Sequence, residues 1–165
     1  MRVFVTVGST RFDRLVQWIV WDKVLDVLRD NGYTDVVIQC GSMGFQRLPG
    51  NGATSFESRG CNIQVYRFKP SLEQDYDAAD LVISHAGSGT ILDVLRKPKP
   101  LIAIVNDSLL DNHQKELADA LSALGHIKTL RDAIHDIGQD TLIPFPPLDG
   151  SRFRMILDRE MGYDV

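Results

Sequence analysis

The chain has 165 residues, the size of one ordinary domain. Its composition, 44% hydrophobic and 24% charged, excludes disorder, a collagen-like repeat and a disulfide-stapled miniprotein. Its net charge of −4, from 18 Lys+Arg against 22 Asp+Glu, argues against general nucleic-acid binding, which needs a concentrated basic face.

The chain opens on Arg2 to Val7, a β-branched apolar run of strand length that Gly8 ends. A helical pattern spans Phe12 to Asn31, with Asn31-Gly32 as its C-terminal cap. Asp35 to Gln39 reads as a second strand, Gly41 to Gly60 as a Gly- and Ser-rich loop region, and Asn62 to Phe68 as a third strand. A helix follows from Pro70-Ser71 to about Ala79, then a short strand from Asp80 to Ser84 and a helix to Arg96. After Pro98 and Pro100 come a strand, Leu101 to Val105, and an amphipathic helix, Asn112 to Leu124, closed by Gly125. Ile127 to Leu130 is a candidate last strand, followed by a short helix. Pro144 to Pro147 reads as a linker and Ser151 to Glu160 as a final helix, with Phe153, Ile156 and Leu157 on one side.

Strands alternating with helices predict parallel pairing and a doubly wound α/β sheet, and near-continuous apolar strands suit a sheet covered on both faces. The expected organisation is one domain over residues 1–143 and a Pro-rich linker with a C-terminal helix over 144–165. The first helix carries two apolar stripes, Val16/Val20/Val24/Val27 and Trp18/Trp21/Leu25/Leu28. One stripe is enough to cover a sheet, so the second implies either a further surface or a crowded core where the tail folds back. No window nears the ~20 apolar residues of a membrane span, and the first apolar run is too short for a secretory signal. Cys40 and Cys61 have no CxxC spacing, so reduced thiols in a cytosolic protein are expected.

In an open parallel sheet, ligands bind beyond the carboxyl ends of the strands. Two glycine-bearing loops sit at such ends: Gly8-Ser9-Thr10, and His85-Ala86-Gly87-Ser88-Gly89-Thr90. Glycines admit close backbone approach. The free amides and dipole of the following helix favour a phosphate, and Ser88 and Thr90 add hydroxyls. Neither loop is a Walker A or a GxGxxG fingerprint, which lowers the readings of NTPase and of nicotinamide-dependent oxidoreductase. Asp93, three residues after Thr90, is placed either to accept two ribose hydroxyls or to complement the helix dipole. Asn112, His113 and Gln114 open a later helix. An N-cap role explains one of them, while a place on the same crevice explains all three; Glu116 is a further polar contact or a surface acid. Asp75-Tyr76-Asp77 matches a metal-holding DxD pattern, but it falls in a predicted helix, where residues two apart face different directions. No carboxylate or histidine cluster has metal-ligand spacing, so neither a metal nor a cofactor is expected. No Ser-His-Asp set is supported.

Phe4-Val-Thr-Val-Gly-Ser-Thr10, Leu81-Val-Ile-Ser-His-Ala-Gly-Ser-Gly-Thr90 and Asn112-His-Gln-x-Glu-Leu-Ala118, in that order, resemble the soluble catalytic subunit of the dolichol-linked N-acetylglucosaminyltransferase. Phe145-Pro-Pro147 and the helix after it fit as well, so the resemblance covers nearly the whole chain. More distantly, the chain is similar to the C-terminal, donor-binding half of the bacterial transferase that makes the lipid-linked peptidoglycan precursor. The resemblance implies a Rossmann-like half of a GT-B glycosyltransferase. It implies transfer of N-acetylglucosamine from UDP-N-acetylglucosamine to N-acetylglucosaminyl-diphosphodolichol, at the cytosolic face of the endoplasmic reticulum. It also implies a membrane-anchored partner subunit that carries the lipid acceptor, with no membrane span in this chain.

Carried over by position, Gly8, Ser9 and Thr10 form a first donor loop. Gly87, Ser88, Gly89 and Thr90 cradle the diphosphate or the adjoining ribose. Asp93 stands where related transferases carry a ribose-binding glutamate one methylene longer. His113 and Gln114 match a polar pair that reads the sugar, flanked by Asn112 and Glu116. His85 lies near the leaving group and is the one candidate for catalysis; the base that deprotonates the acceptor is unassigned. The alternative reading is a non-catalytic UDP-sugar-binding regulatory module.

Overall fold

The computed structural model describes residues 1–42, 53–97, 99–106, 113–125 and 127–129. The central strand β1 (Arg2–Thr6) pairs in parallel with β2 (Asp35–Gln39) on one side and β5 (Leu81–His85) on the other. Beyond β2 lie β4 (Cys61–Tyr66) and, at the edge, β3 (Thr54–Ser58); beyond β5 lie β6 (Leu101–Ile104) and the short β7 (Lys128–Thr129). The order is β3-β4-β2-β1-β5-β6-β7. Every pairing is parallel except that of β3 with β4.

Because successive side chains of a strand face opposite ways, each apolar strand feeds two cores. Val3 and Val5 face a layer made by α1 (Asp13–Ile19) and α2 (Asp22–Asp30), with Leu15, Val16, Ile19, Leu25 and Leu28 buried against them. Phe4 and Val82 face the other layer, of α3 (Glu73–Ala78), α4 (Ser88–Leu95) and α5 (His113–Ala123), through Tyr76, Ile91, Val94, Ala118 and Leu121. The doubly wound arrangement expected from the alternation of elements is the one observed.

Two expectations need correction. The helix predicted over Phe12 to Asn31 is two helices. Ile19, Val20 and Trp21 are β-branched and aromatic, hence poor helix formers, and Asp22 suits the positive N-terminal end of a new helix. Trp21 is extended (φ −71°, ψ 135°), and its carbonyl accepts from the Val24 and Leu25 amides to start α2. The second correction concerns Gly41 to Gly60, read as loop, which contains β3. Its residues alternate between half-buried and exposed and make a mostly polar edge, so no apolar run marks it. A two-residue turn at Arg59-Gly60, both with positive φ (54° and 75°), joins β3 to β4 and matches the twist of an antiparallel hairpin. Arg59 is held in place by Asp26 on α2, at 2.5 and 3.0 Å. The linker and helix expected over 144–165 lie outside the described residues.

Candidate functional site

The carboxyl ends of β1 and β5, adjacent at the centre of the sheet, carry the two glycine loops. Between them is a cavity of ≈360 Å³, lined by Gly8, Ser9, Thr10, the stretch from His85 to Thr90, and Leu117 of α5. The structure therefore brings together the residues of both predicted loops.

The backbone amides divide sharply. Gly8 is left-handed (φ +61°), and its N–H donates inward to Thr6 Oγ1 at 3.0 Å. The Thr10 N–H donates to the Val7 carbonyl at 3.2 Å, and the Gly87 N–H to the His85 carbonyl at 2.8 Å. Four amides have no intramolecular acceptor among the described residues: Ser9 in the first loop, and Ser88, Gly89 and Thr90 in the first turn of α4. Gly87 is the N-cap of α4, and its extended backbone (φ −79°, ψ 128°) turns the chain from strand into helix. Such a cluster of unsatisfied N–H groups at the positive end of a helix dipole attracts an anion.

His85 is the last residue of β5 and is buried, with 5% of its surface exposed. Its ring lies against both glycines. A Cβ on Gly8 would stand 2.8 Å from His85 Cε1, and one on Gly87 would overlap Nε2. His85 Nδ1 is buried without a hydrogen-bond partner. Burial pushes the imidazole pKa down, against a smaller opposing pull from the Thr6 backbone, so the ring favours the neutral form. A neutral ring beside four donor amides retains one nitrogen that can donate and one that can accept.

Thr90 is tied to the layer below. Burial raises the Tyr76 hydroxyl to about 12, partly offset by its hydrogen bond with the Thr90 side chain. Asp93 is not part of the lining: its carboxylate is 58% exposed and pairs at 3.9 Å with Arg96, three residues further on at the exposed side of α4. Glu116 is exposed on the first turn of α5, next to the lining residue Leu117. His113 and Gln114 begin α5, on the turn that leads to Leu117, and Asn112 lies outside the described residues. The two carboxylates of the DxD match part company on α3: Asp75 takes Tyr66 and Lys69, at 2.6 and 2.8 Å, whereas Asp77 takes Lys97 at 2.6 Å.

Three residues escaped the sequence reading. Leu117 looks like any core leucine of an amphipathic helix. Thr6 and Gln39 are buried polar side chains at the carboxyl ends of apolar strands. That position is the signal by which they are recognisable, because a polar group buried there needs a partner near the site.

Residues 2–136 match the model of the glycosyltransferase family 28 C-terminal domain. The chain belongs to this family. Within it, the chain is 34% identical to the UDP-N-acetylglucosamine transferase subunit ALG13 of Eremothecium gossypii, over 94% of this chain and 90% of that protein. It is 44% identical to the mouse subunit of the same name over 76% of its own length, but spans only about 10% of that mouse protein. The solution NMR structure of ALG13 superposes with a TM-score of 0.70 at 30% identity, covering 94% of both chains. Acinetobacter baumannii MurG shares the fold, with a TM-score of 0.55 at 19% identity over 97% of this chain and 42% of the MurG chain. This family 28 domain is thus a glycosyltransferase domain of the ALG13 type, with the doubly wound architecture of the GT-B enzymes.

Proposed function

We propose that this family 28 domain is the donor-binding, catalytic subunit of a heteromeric transferase. In this reading it passes N-acetylglucosamine from UDP-N-acetylglucosamine to N-acetylglucosaminyl-diphosphodolichol, at the cytosolic face of the endoplasmic reticulum. The observation that carries the reading is the cavity between the two glycine loops, with its four unpartnered amides. A diphosphate is the ligand chemistry such a cluster suits. The name shared by the relatives supplies the sugar nucleotide and the word subunit.

The reaction is an inverting displacement. The acceptor hydroxyl oxygen forms a bond to the anomeric carbon while the bond from that carbon to the β-phosphate oxygen breaks, and the electron pair leaves on UDP. Preorganised amides of Ser88, Gly89 and Thr90, at the positive end of the α4 dipole, stabilise the charge that builds on the departing diphosphate, while that of Ser9 holds the diphosphate in place. His85 sits behind them as a neutral ring beside the leaving group. His113, Gln114, Asn112 and Glu116 on or before α5 are proposed to face the sugar. Asp93, on the outer side of α4, is the least well placed of the proposed donor contacts.

The hydroxyl proton needs a base, and the described lining holds no carboxylate. That favours a base from the membrane-anchored partner. The same observation is what would favour the second reading, a non-catalytic UDP-sugar-binding module. Residues 144–165 are proposed to contact the partner.

Co-purification with the membrane partner, followed by a transfer assay on lipid-linked N-acetylglucosamine, tests the proposal. Transfer by the pair and none by either chain alone is expected. Transfer by this chain alone would refute the need for a partner, and donor binding without turnover in any complex would leave the regulatory module. A Cβ on Gly89 would meet nothing within 4 Å, so the fold should survive Gly89→Val while affinity for UDP falls at least about tenfold.

A further inference from the structure

Beneath the first loop lies a polar side chain that the donor reading leaves without a task. Gln39 ends β2 and is 1% exposed. Its carboxamide is fully used. Oε1 accepts from Thr6 Oγ1 at 2.6 Å, and Nε2 donates to the Gly8 carbonyl at 2.9 Å and to the Arg67 carbonyl at 2.7 Å. Thr6 Oγ1 in turn accepts the Gly8 N–H at 3.0 Å. Gln39 and Thr6 together therefore grip the N–H and the C=O of Gly8. They also tie the carboxyl ends of three strands, β1, β2 and β4, into one closed network.

Stability alone does not call for this arrangement. The three residues before it in β2 are Val-Val-Ile, and an apolar side chain of the same length would fill the space. A satisfied buried hydrogen-bond network is worth little net relative to well-packed apolar groups, whereas it fixes orientation closely. What is oriented here is the backbone on both sides of Gly8, the Val7–Gly8 peptide through its N–H and the Gly8–Ser9 peptide through its C=O. With both polar groups of Gly8 turned inward, the next amide, that of Ser9, is left without an acceptor in the wall of the cavity, and Gly8 is held at φ +61°.

We propose that Gln39, acting with Thr6, is the positioning residue of the first donor loop: it locks the Gly8 peptide inward so that the Ser9 N–H is presented to the diphosphate of the sugar nucleotide. The inference rests on the donor-site reading and adds to it the residue that sets the loop's geometry. The Ser9 amide holds the diphosphate in both ground state and transition state. Its loss therefore weakens donor binding and leaves the chemical step alone.

The test uses the full chain, with UDP and UDP-N-acetylglucosamine as titrants, and the partnered enzyme for kinetics. Gln39→Met keeps the length and removes every hydrogen bond. It should melt cooperatively, raise the UDP dissociation constant and the donor KM about tenfold, and leave kcat within about twofold. Thr6→Val should act in the same direction, and the double variant should be no worse than the stronger single one, since the two side chains are hydrogen-bonded to each other and both release the backbone of Gly8. Thr6→Ser keeps the hydroxyl and should restore wild-type affinity, a rescue that a merely structural role in the core would not produce. If Gln39→Met fails to fold, the Thr6→Val and Thr6→Ser pair decides alone. Wild-type affinity in a folded Gln39→Met or Thr6→Val chain overturns the proposal while leaving the donor site intact. Failure of the wild-type chain to bind either titrant overturns the donor reading, and the proposal with it.

Discussion

His85 shows what a single side chain contributes to this site and what the sequence conceals about it. The ring is buried, and its pKa lies below the ordinary histidine value of about 6.5. The unfolded chain therefore takes up a proton near pH 6.5 that the folded chain refuses. Stability is complete above that value. It declines as the pH falls towards the lower folded pKa, by at most about 1.4 kcal/mol per pH unit. His85→Gln should remove this component, so the gap in Tm between the two proteins should narrow as the pH is lowered from 8 to 5. A gap that stays constant across that range would show that His85 does not titrate differently on folding.

Gly87 and Gly89 look interchangeable in the motif, and the structure separates them. A Cβ on Gly87 would overlap His85 Nε2, whereas one on Gly89 meets nothing. Gly87→Ala should cost about 1–3 kcal/mol in urea unfolding, the range for forced overpacking. Gly89→Ala should stay within about 0.5 kcal/mol of wild type. The loop itself was readable from its glycines and hydroxyls. The reason for each glycine was not, because it depends on where a ring from the preceding strand comes to rest.

At the scale of elements, the first helical segment carried the most ambiguous signal. Its two apolar stripes implied burial on two sides. The break at Val20-Trp21 resolves part of this: Leu25 and Leu28 are buried on α2, whereas Val27 is 45% and Trp21 53% exposed. A periodicity read through a break mixes the faces of two separate cylinders, so the stripes overstated the buried surface. Leu25→Ala should cost about 2–5 kcal/mol as a core truncation. Val27→Ala should change stability by about 0.5 kcal/mol or less in the isolated chain. Comparable losses at both positions would mean that α2 is turned differently. The strand β3 was hidden for a different reason: a half-buried edge with the pattern Thr-Ser-Phe-Glu-Ser has no apolar face to display, and its place depends on pairing with β4. The inner strands were legible because burial on both faces demands apolar runs.

For the whole molecule, the architecture and the place of the cavity at the carboxyl ends of β1 and β5 followed from the alternation of elements and from the rule for open sheets. Asp93 is the residue for which that reasoning was least informative. Its spacing from Thr90 put it near the loop, but the helix carries it to the outer face, where it pairs with Arg96. If the cavity binds the donor, folding and binding are linked across the molecule. UDP-N-acetylglucosamine at a hundred times its dissociation constant should add about 2.7 kcal/mol to stability and raise Tm. The same concentration should add about 1.4 kcal/mol or less to Gly89→Val, with a correspondingly smaller rise in Tm. Equal shifts in the two proteins would place the bound nucleotide elsewhere.

The order of strands also governs how the chain can assemble. The central strand β1 pairs with two distant segments, Arg2 with Asp35 and Val3 with Leu81, whereas β3 and β4 meet across a two-residue turn. The hairpin can thus close early and locally, while the strand that carries Thr6 and leads into Gly8 waits for residues on both sides of it to emerge. Non-local parallel pairing of this kind is slow, and a strand with an unpaired edge is a template for aggregation. A nascent chain released before Leu81 leaves β1 with one bare edge at the centre of the future sheet. It should be recovered as a chaperone-bound or aggregated species, not as a smaller folded domain.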